Sequence, residues 1–211
     1  MADQRLSGRR SEALRNDAAI LAAARAVFVT NPDAPVSAVA ERAGVGISSL
    51  YRRYASKEEL LRKLCGDGLQ QYVDIARAAV EDETSDPWDT FARFMRRIVE
   101  ADTHTLTINL AGRFTLTESE HVNGQLANEM NRQLVARAQA AGVLREDITA
   151  DDLTYFFEQI ASVHGATPQR TAELRSRYLA LHLDALRAPG RSRLPGPPPT
   201  SPEQQLRWAP S

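Results

Sequence analysis

Apolar residues recur along this chain at intervals of three and four, and no segment sustains an alternation of apolar and polar positions. That is the period of helices packed by one face. The first such run, 11–30, carries Ala19, Ile20, Ala23, Ala24, Val27 and Phe28, with Ser11 placed to cap it. Asn31-Pro32-Asp33-Ala34-Pro35 breaks it, since proline ends one helix and opens another. Val39 and Ala43 then mark a short helix, stopped by Gly44, where glycine takes a left-handed conformation at little cost. Leu50 and Tyr54 anchor a second short helix, and small Ala40 lets the pair approach. Leu21 and Phe28 complete one core with Val39, Leu50 and Tyr54. Helix, glycine turn and helix at this spacing is a helix-turn-helix.

Six further helices follow. One starts at Ser56, with Glu59 three residues on as in a capping box, and runs to about Val80 through Leu60, Leu61, Leu64, Leu69, Tyr72, Val73 and Ile75. Gly66 and Gly68 inside it each cost about 1 kcal/mol relative to alanine and mark a candidate kink. Residues 88–101 form an amphipathic helix with Trp88, Phe91, Met95, Ile98 and Val99 inward. Residues 103–117 read as a helix through Leu106, Ile108, Leu110, Phe114 and Leu116, although five threonines lower its propensity. Residues 119–141 use Val122, Leu126, Met130, Leu134, Val135 and Ala138, and end at Gly142. After a connector at 143–148, Thr149 with Asp152 caps a helix reaching about His164. The last helix spans about 169–187, with Leu174, Tyr178, Leu181, His182 and Leu186 on one stripe. From Ala188 onward seven prolines predict an extended, non-helical tail, in which Trp208 has no assigned role. The fold class is all-α, with nine helices. A three-helix head occupies 11–55, a helical-bundle body 56–187, and a Pro-rich tail 188–211.

The second short helix has one buried side and one polar or basic side, which suits a major groove. Its surroundings read Ala43-Gly44-Val45-Gly46-Ile47-Ser48-Ser49-Leu50-Tyr51-Arg52-Arg53-Tyr54-Ala55-Ser56-Lys57-Glu58-Glu59-Leu60. This run resembles, without gaps, the DNA-binding signature of the TetR/AcrR family of bacterial transcriptional regulators, A-G-V-S-x-G-T-L-Y-x-H-F-x-S-K-E-x-L. Three positions depart from that pattern. Gly46 removes a capping hydroxyl, Ser48 replaces a glycine, and Ile47 is apolar where the family often places a base-reading polar residue.

Charge distribution agrees with a DNA-binding head. The whole chain has a net charge of −1, but residues 1–65 carry +4 and residues 66–211 carry −5. A basic head on an acidic body fits local phosphate binding without general stickiness. Arg5, Arg9 and Arg10 lie in a polar N-terminal stretch read as disordered, with a basic arm for DNA as the second reading. The single cysteine, Cys65, excludes an internal disulfide and reads as a buried inert thiol in a reducing cytoplasm. No apolar run is long enough to span a membrane, and the N-terminus has no signal core.

Enzyme readings are weak. Glu118-x-x-His121 is half of a di-metal motif without a second half. His104, His164 and His182 are isolated, and no phosphate loop or nucleophile elbow occurs. The expectation is therefore a protein without catalytic residues, metal or cofactor.

The resemblance implies double-stranded, palindromic operator DNA as partner, a small-molecule inducer in the body, and a homodimer built on the last two long helices. Ser48, Ser49, Tyr51, Arg53 and Lys57 would hold phosphates, Arg52 and Ile47 would face bases, and Ser37 would begin a helix offering backbone amides to a phosphate. Arg53 is the alternative base reader. A helical bundle leaves ligand cavities between its helices. The candidate lining is Tyr72, Trp88, Phe91, Met95, Leu110, Phe114, Phe156 and Phe157, with Asn109, Arg113, Tyr155 and Gln159 as polar contacts. Arg113, set among apolar residues, is either a buried arginine that would need an anionic partner or, equally, a surface arginine beside Glu118. Phe157, Leu174, Tyr178 and Leu181 are the candidate dimer face. The function expected is a ligand-responsive repressor released from its operator by an inducer. The alternatives are an activator of the same architecture and a helical small-molecule-binding protein that has lost DNA binding.

Overall fold

The structure, a computed structural model, describes residues 2–110, 113–189 and 192–205, without the side chains of 2–14, 204 and 205. Among the described residues there are ten helices and no strand, with one antiparallel bridge between Leu144 and Arg187. The chain divides into two compact units, Met1–Gly66 and Asp67–Ser211.

The first unit holds α1 (Ala2–Thr30), α2 (Val36–Ala43), α3 (Ile47–Arg53) and the start of α4 (Lys57–Val80). The first helix begins at Ala2, so of the stretch expected to be disordered at 1–10, the described residues 2–10 are helical instead. It contains no proline, and its Ala, Arg, Leu and Gln residues are good helix formers. Ile20, Ala23, Ala24 and Phe28 face inward, while Ala19, expected among them, is exposed. Val39, Ala40, Leu50 and Tyr54 complete the core. Gly44 ends α2 at φ +66, where its amide donates to the Glu41 carbonyl and the Val45 amide to Ala40, the paired bonds of a Schellman turn. Gly46 precedes α3 with no side-chain cap. Ser56 accepts from the Glu59 amide, but Glu59 returns its bond to the amide of Ala55 rather than of Ser56. The units part after Gly66 and not at 55, because Lys57 is fastened to the turn before α2.

The second unit comprises the rest of α4 with α5 (Pro87–Ala101), α6 (Thr103–Leu110), α7 (Glu118–Ala140), α8 (Ala150–Ala161), α9 (Pro168–Leu186) and α10 (Ser201–Gln205). Its core joins Tyr72, Trp88, Phe91, Phe94, Met95, Ile98, Leu134, Leu153, Phe157, Leu179 and Leu183. Caps define the boundaries. Asp86 accepts from the amides of Trp88 and Asp89, and Pro87 opens α5. Thr117 with Glu120, and Thr149 with Asp152, form capping boxes for α7 and α8.

Two expectations fail here. The helix expected over 103–117 stops at Leu110, and Thr117 serves as the cap of the next one. The tail contains a short helix, because Thr200 and Glu203 form a capping pair and proline is tolerated in a first turn. The tail is also fastened. Arg145 donates to the Ser192 carbonyl, the Leu194 amide to Asp147, and the Ser201 hydroxyl to Asp151. Trp208 lies outside the described residues.

Candidate nucleic-acid interface and body cavity

The head presents α3 because its two anchors are sunk. Leu50 is fully buried and Tyr54 nearly so, which turns Ile47, Ser48, Tyr51 and Arg52 outward. Ile47 is 40% exposed and Tyr51 48% exposed, an unusual display of apolar surface for a head this small. Ser49 is half-buried and Ser37 is exposed on the first turn of α2.

Two of the expected phosphate contacts are engaged elsewhere. Arg53 makes a bidentate pair with Asp17 of α1, Nε to Oδ1 at 2.8 Å and Nη2 to Oδ2 at 2.9 Å. The Tyr54 hydroxyl donates to the same carboxylate at 2.7 Å. The Arg53 bond holds the Asp17 carboxyl below the usual carboxylate range, against the opposing effect of burial. Asp17 in turn raises the Arg53 guanidinium further, and burial followed by Asp17 raises the Tyr54 phenol. Lys57 donates to the carbonyls of Pro32 at 3.0 Å and Ala34 at 2.9 Å, so its ammonium bridges the α1–α2 turn of its own chain. Neither role has a local sequence signal, since one partner lies 36 residues away and the others are backbone atoms.

In the body, a cavity of about 10 Å³, the size of one water, is lined by Ile98, Val99, Asp102, His104, Phe157, Ile160, Ala161 and Arg175. Arg175 is the buried arginine of this unit, only 7% exposed. It donates to Asp102 at 2.8 Å, to the Thr105 hydroxyl at 3.1 Å, and to the carbonyls of Ala161 and Val163 at 2.6 and 3.1 Å. Asp102 caps α5 in the left-handed region at φ 50 and also accepts from Thr105. His104 stacks 4.8 Å from Phe157 and 5.6 Å from Tyr72, and desolvation lowers its pKa to about 4, against a smaller upward pull from Asp102. Tyr72 is buried, with its hydroxyl donating to Asn131 at 2.8 Å, and burial raises its pKa.

Of the expected pocket residues, Phe157 lines this cavity. Tyr72 packs on its ring, and Trp88, Phe91, Met95, Leu110 and Phe114 are buried. Asn109, Tyr155 and Phe156 are half-buried. Arg113 is exposed, in line with its surface reading, and Arg175 is a buried arginine paired with Asp102. Gln159 is exposed and its Oε1 accepts from His182 Nε2 at 3.3 Å. The sequence reading missed Asp102, His104 and Arg175. A signal existed, for Arg175 falls in register with Leu179 and Leu183, the stripe of α9 that is buried. Of the expected dimer residues, Tyr178 and Leu181 are 43% and 57% exposed and Leu174 is half-buried. Phe157 is buried within its own protomer, so it is not part of an exposed face.

Among the described residues the chain is helical, with a helix-turn-helix in its first unit and a helical bundle in its second, an architecture that suits a DNA-binding regulator. Residues 20–64 match the family model described as bacterial regulatory proteins, tetR family, and residues 86–188 match that of the SbtR-like transcriptional regulator C-terminal domain. The chain belongs to the TetR family of transcriptional regulators. It is 38% identical over 89 residues to the HTH-type transcriptional repressor LfrR of Mycolicibacterium smegmatis, a match taking in 41% of this chain and 43% of that one. The match therefore spans less than half of the repressor's length. A TetR regulatory protein from Mycobacterium vanbaalenii is similar in structure with a TM-score of 0.56 and 25% identity, over 85% of this chain and 99% of that one. LfrR solved with proflavine shares the fold, with a TM-score of 0.57 and 18% identity over 86% of this chain and 99% of that one. No helix of the described residues is long and apolar enough to cross a membrane.

Proposed function

We propose that this chain is a homodimeric repressor that holds a palindromic operator through α3 and leaves it when a small molecule enters the body. The observation carrying this reading is the outward face of α3, where Ile47, Ser48, Tyr51 and Arg52 stand exposed above buried Leu50 and Tyr54. Arg52 and Ile47 read base edges, arginine preferring guanine and isoleucine able to touch only a thymine methyl. Ser37, Ser48, Ser49 and Tyr51 hold phosphates. The exposed Tyr178 and Leu181 support pairing through α8 and α9, which sets two heads on successive major grooves.

The cavity beside Phe157 has room for about one water, so an inducer bound there has to enlarge it. Ligand-induced release requires different affinities in the open and closed states, and the coupling is reciprocal: operator DNA weakens inducer binding by the same factor. The test is a fluorescence-anisotropy titration of a duplex from the gene's own upstream region, in the presence of a scrambled competitor. Retention of the upstream duplex, and its loss on Arg52→Ala, is the expected result. Equal affinity for both duplexes would sink the reading.

A further inference from the structure

α3 ends in two consecutive arginines, and the structure treats them differently. Arg52 is exposed and has no hydrogen-bond or ion-pair partner among the described residues. Arg53 gives the Nε and Nη2 edge of its guanidinium to both oxygens of Asp17. That edge is one that would otherwise fork onto a phosphate or a guanine. Asp17 is itself mostly enclosed, its side chain 14% exposed against 54% for Arg53. A third donor, the hydroxyl of buried Tyr54, fixes the carboxylate from another side. Asp17 thus joins the middle of α1 to the last turn of α3 and cancels a positive charge beside the recognition face.

We infer that Asp17 is a positioning residue for DNA recognition: it withdraws Arg53 from the nucleic acid and leaves Arg52 as the one arginine that the recognition helix offers to the bases. This rests on the DNA-binding reading above. An arginine left loose beside Arg52 would find phosphate on any sequence and raise non-specific affinity, because each phosphate neutralised releases counterions regardless of the bases. By tying Arg53 down, Asp17 sharpens the ratio of specific to non-specific binding without touching DNA.

The test compares the full-length wild type with Asp17→Asn, Arg53→Ala and the double variant, on the upstream duplex and on a scrambled duplex across a salt series. Asp17→Asn keeps one neutral acceptor but loses the charged two-point hold on Arg53, and it should release Arg53 toward phosphate, tighten binding to scrambled DNA, and steepen the log–log salt slope by up to about one unit per head. Arg53→Ala should leave the slope of wild type unchanged. The double variant should match Arg53→Ala. A slope reduced by about one unit in Arg53→Ala would show that Arg53 already holds a phosphate, and overturns the inference. So would a gain in Asp17→Asn that persists in the double variant, for then the lost charge of Asp17 acts alone. If Asp17→Asn does not fold, the slope of Arg53→Ala still decides. A wild type that binds neither duplex overturns the DNA-binding reading itself, an outcome separate from these.

Discussion

The Lys57 ammonium lies 5.1 Å from the centre of the Phe28 ring, at the point where α4 meets the end of α1. Phe28 is fully buried, and the same ammonium donates to two carbonyls of the following turn. Lysine here closes the head from within.

Lys57→Ala is therefore expected to destabilise the head by about 2 kcal/mol, the scale of charge-assisted hydrogen bonds plus a cation–π contact. Its salt slope for DNA should stay that of wild type. Urea unfolding with a parallel binding series checks both. An unchanged unfolding midpoint with a shallower slope would return Lys57 to the phosphate.

Leu181 is the most exposed of the large apolar side chains on α9. Leu181→Asp should convert a dimer to monomers and abolish operator binding, because one head alone loses the second half-site. Sedimentation velocity at micromolar concentration reads the first effect. A wild type that already sediments as a monomer would remove the basis for the α8–α9 dimer.

Arg175→Met should cost about 2–3 kcal/mol, since it removes the donor to the carbonyls of Ala161 and Val163 and the cation beside Asp102, which keeps its bond from Thr105. Asp102→Asn should cost less, for an amide oxygen still accepts from Arg175. Denaturant titration of the two variants side by side gives the order, and equal costs would mean that the charge of the pair carries the contact.

His104 supplies a pH signature. Its folded pKa, about 4, lies below the ordinary value of 6.5, so folding favours the neutral ring. Between these two values the unfolded chain binds more protons, and stability rises with pH. The contribution is complete above about pH 6.5 and is lost progressively toward pH 4. His104→Phe should flatten stability across that window. A variant with the same slope as wild type would place the acid sensitivity in other groups.

Much of the fold was legible because its signals are local. Leu50 and Tyr54 sit one helical turn apart, Gly44 takes the left-handed turn, and Thr149 with Asp152 makes its box within four residues. The head's interface was legible only on its outer side. Ile47, Tyr51 and Arg52 are exposed as their register dictates, but the fates of Arg53 and Lys57 depend on Asp17 and on two carbonyls, which no periodicity reveals. The body was harder. Val122 looked inward by its spacing and is 51% exposed, and the apolar neighbours of Arg113 drew attention from Arg175. Burial of a charge follows from which faces meet across different helices, and that is a tertiary property.

The fastening of the tail rests on hydrogen bonds to Arg145, Asp147 and Asp151, while Leu194 stays 41% exposed. Among its described residues little apolar area is hidden, so this part of the contact has little intrinsic affinity. What holds the segment in place is its covalent tether, which presents it to the body at an effective concentration on the order of millimolar. The same residues supplied as a separate peptide would therefore stay in solution, and a protease cut after residue 188 would release the tail for good.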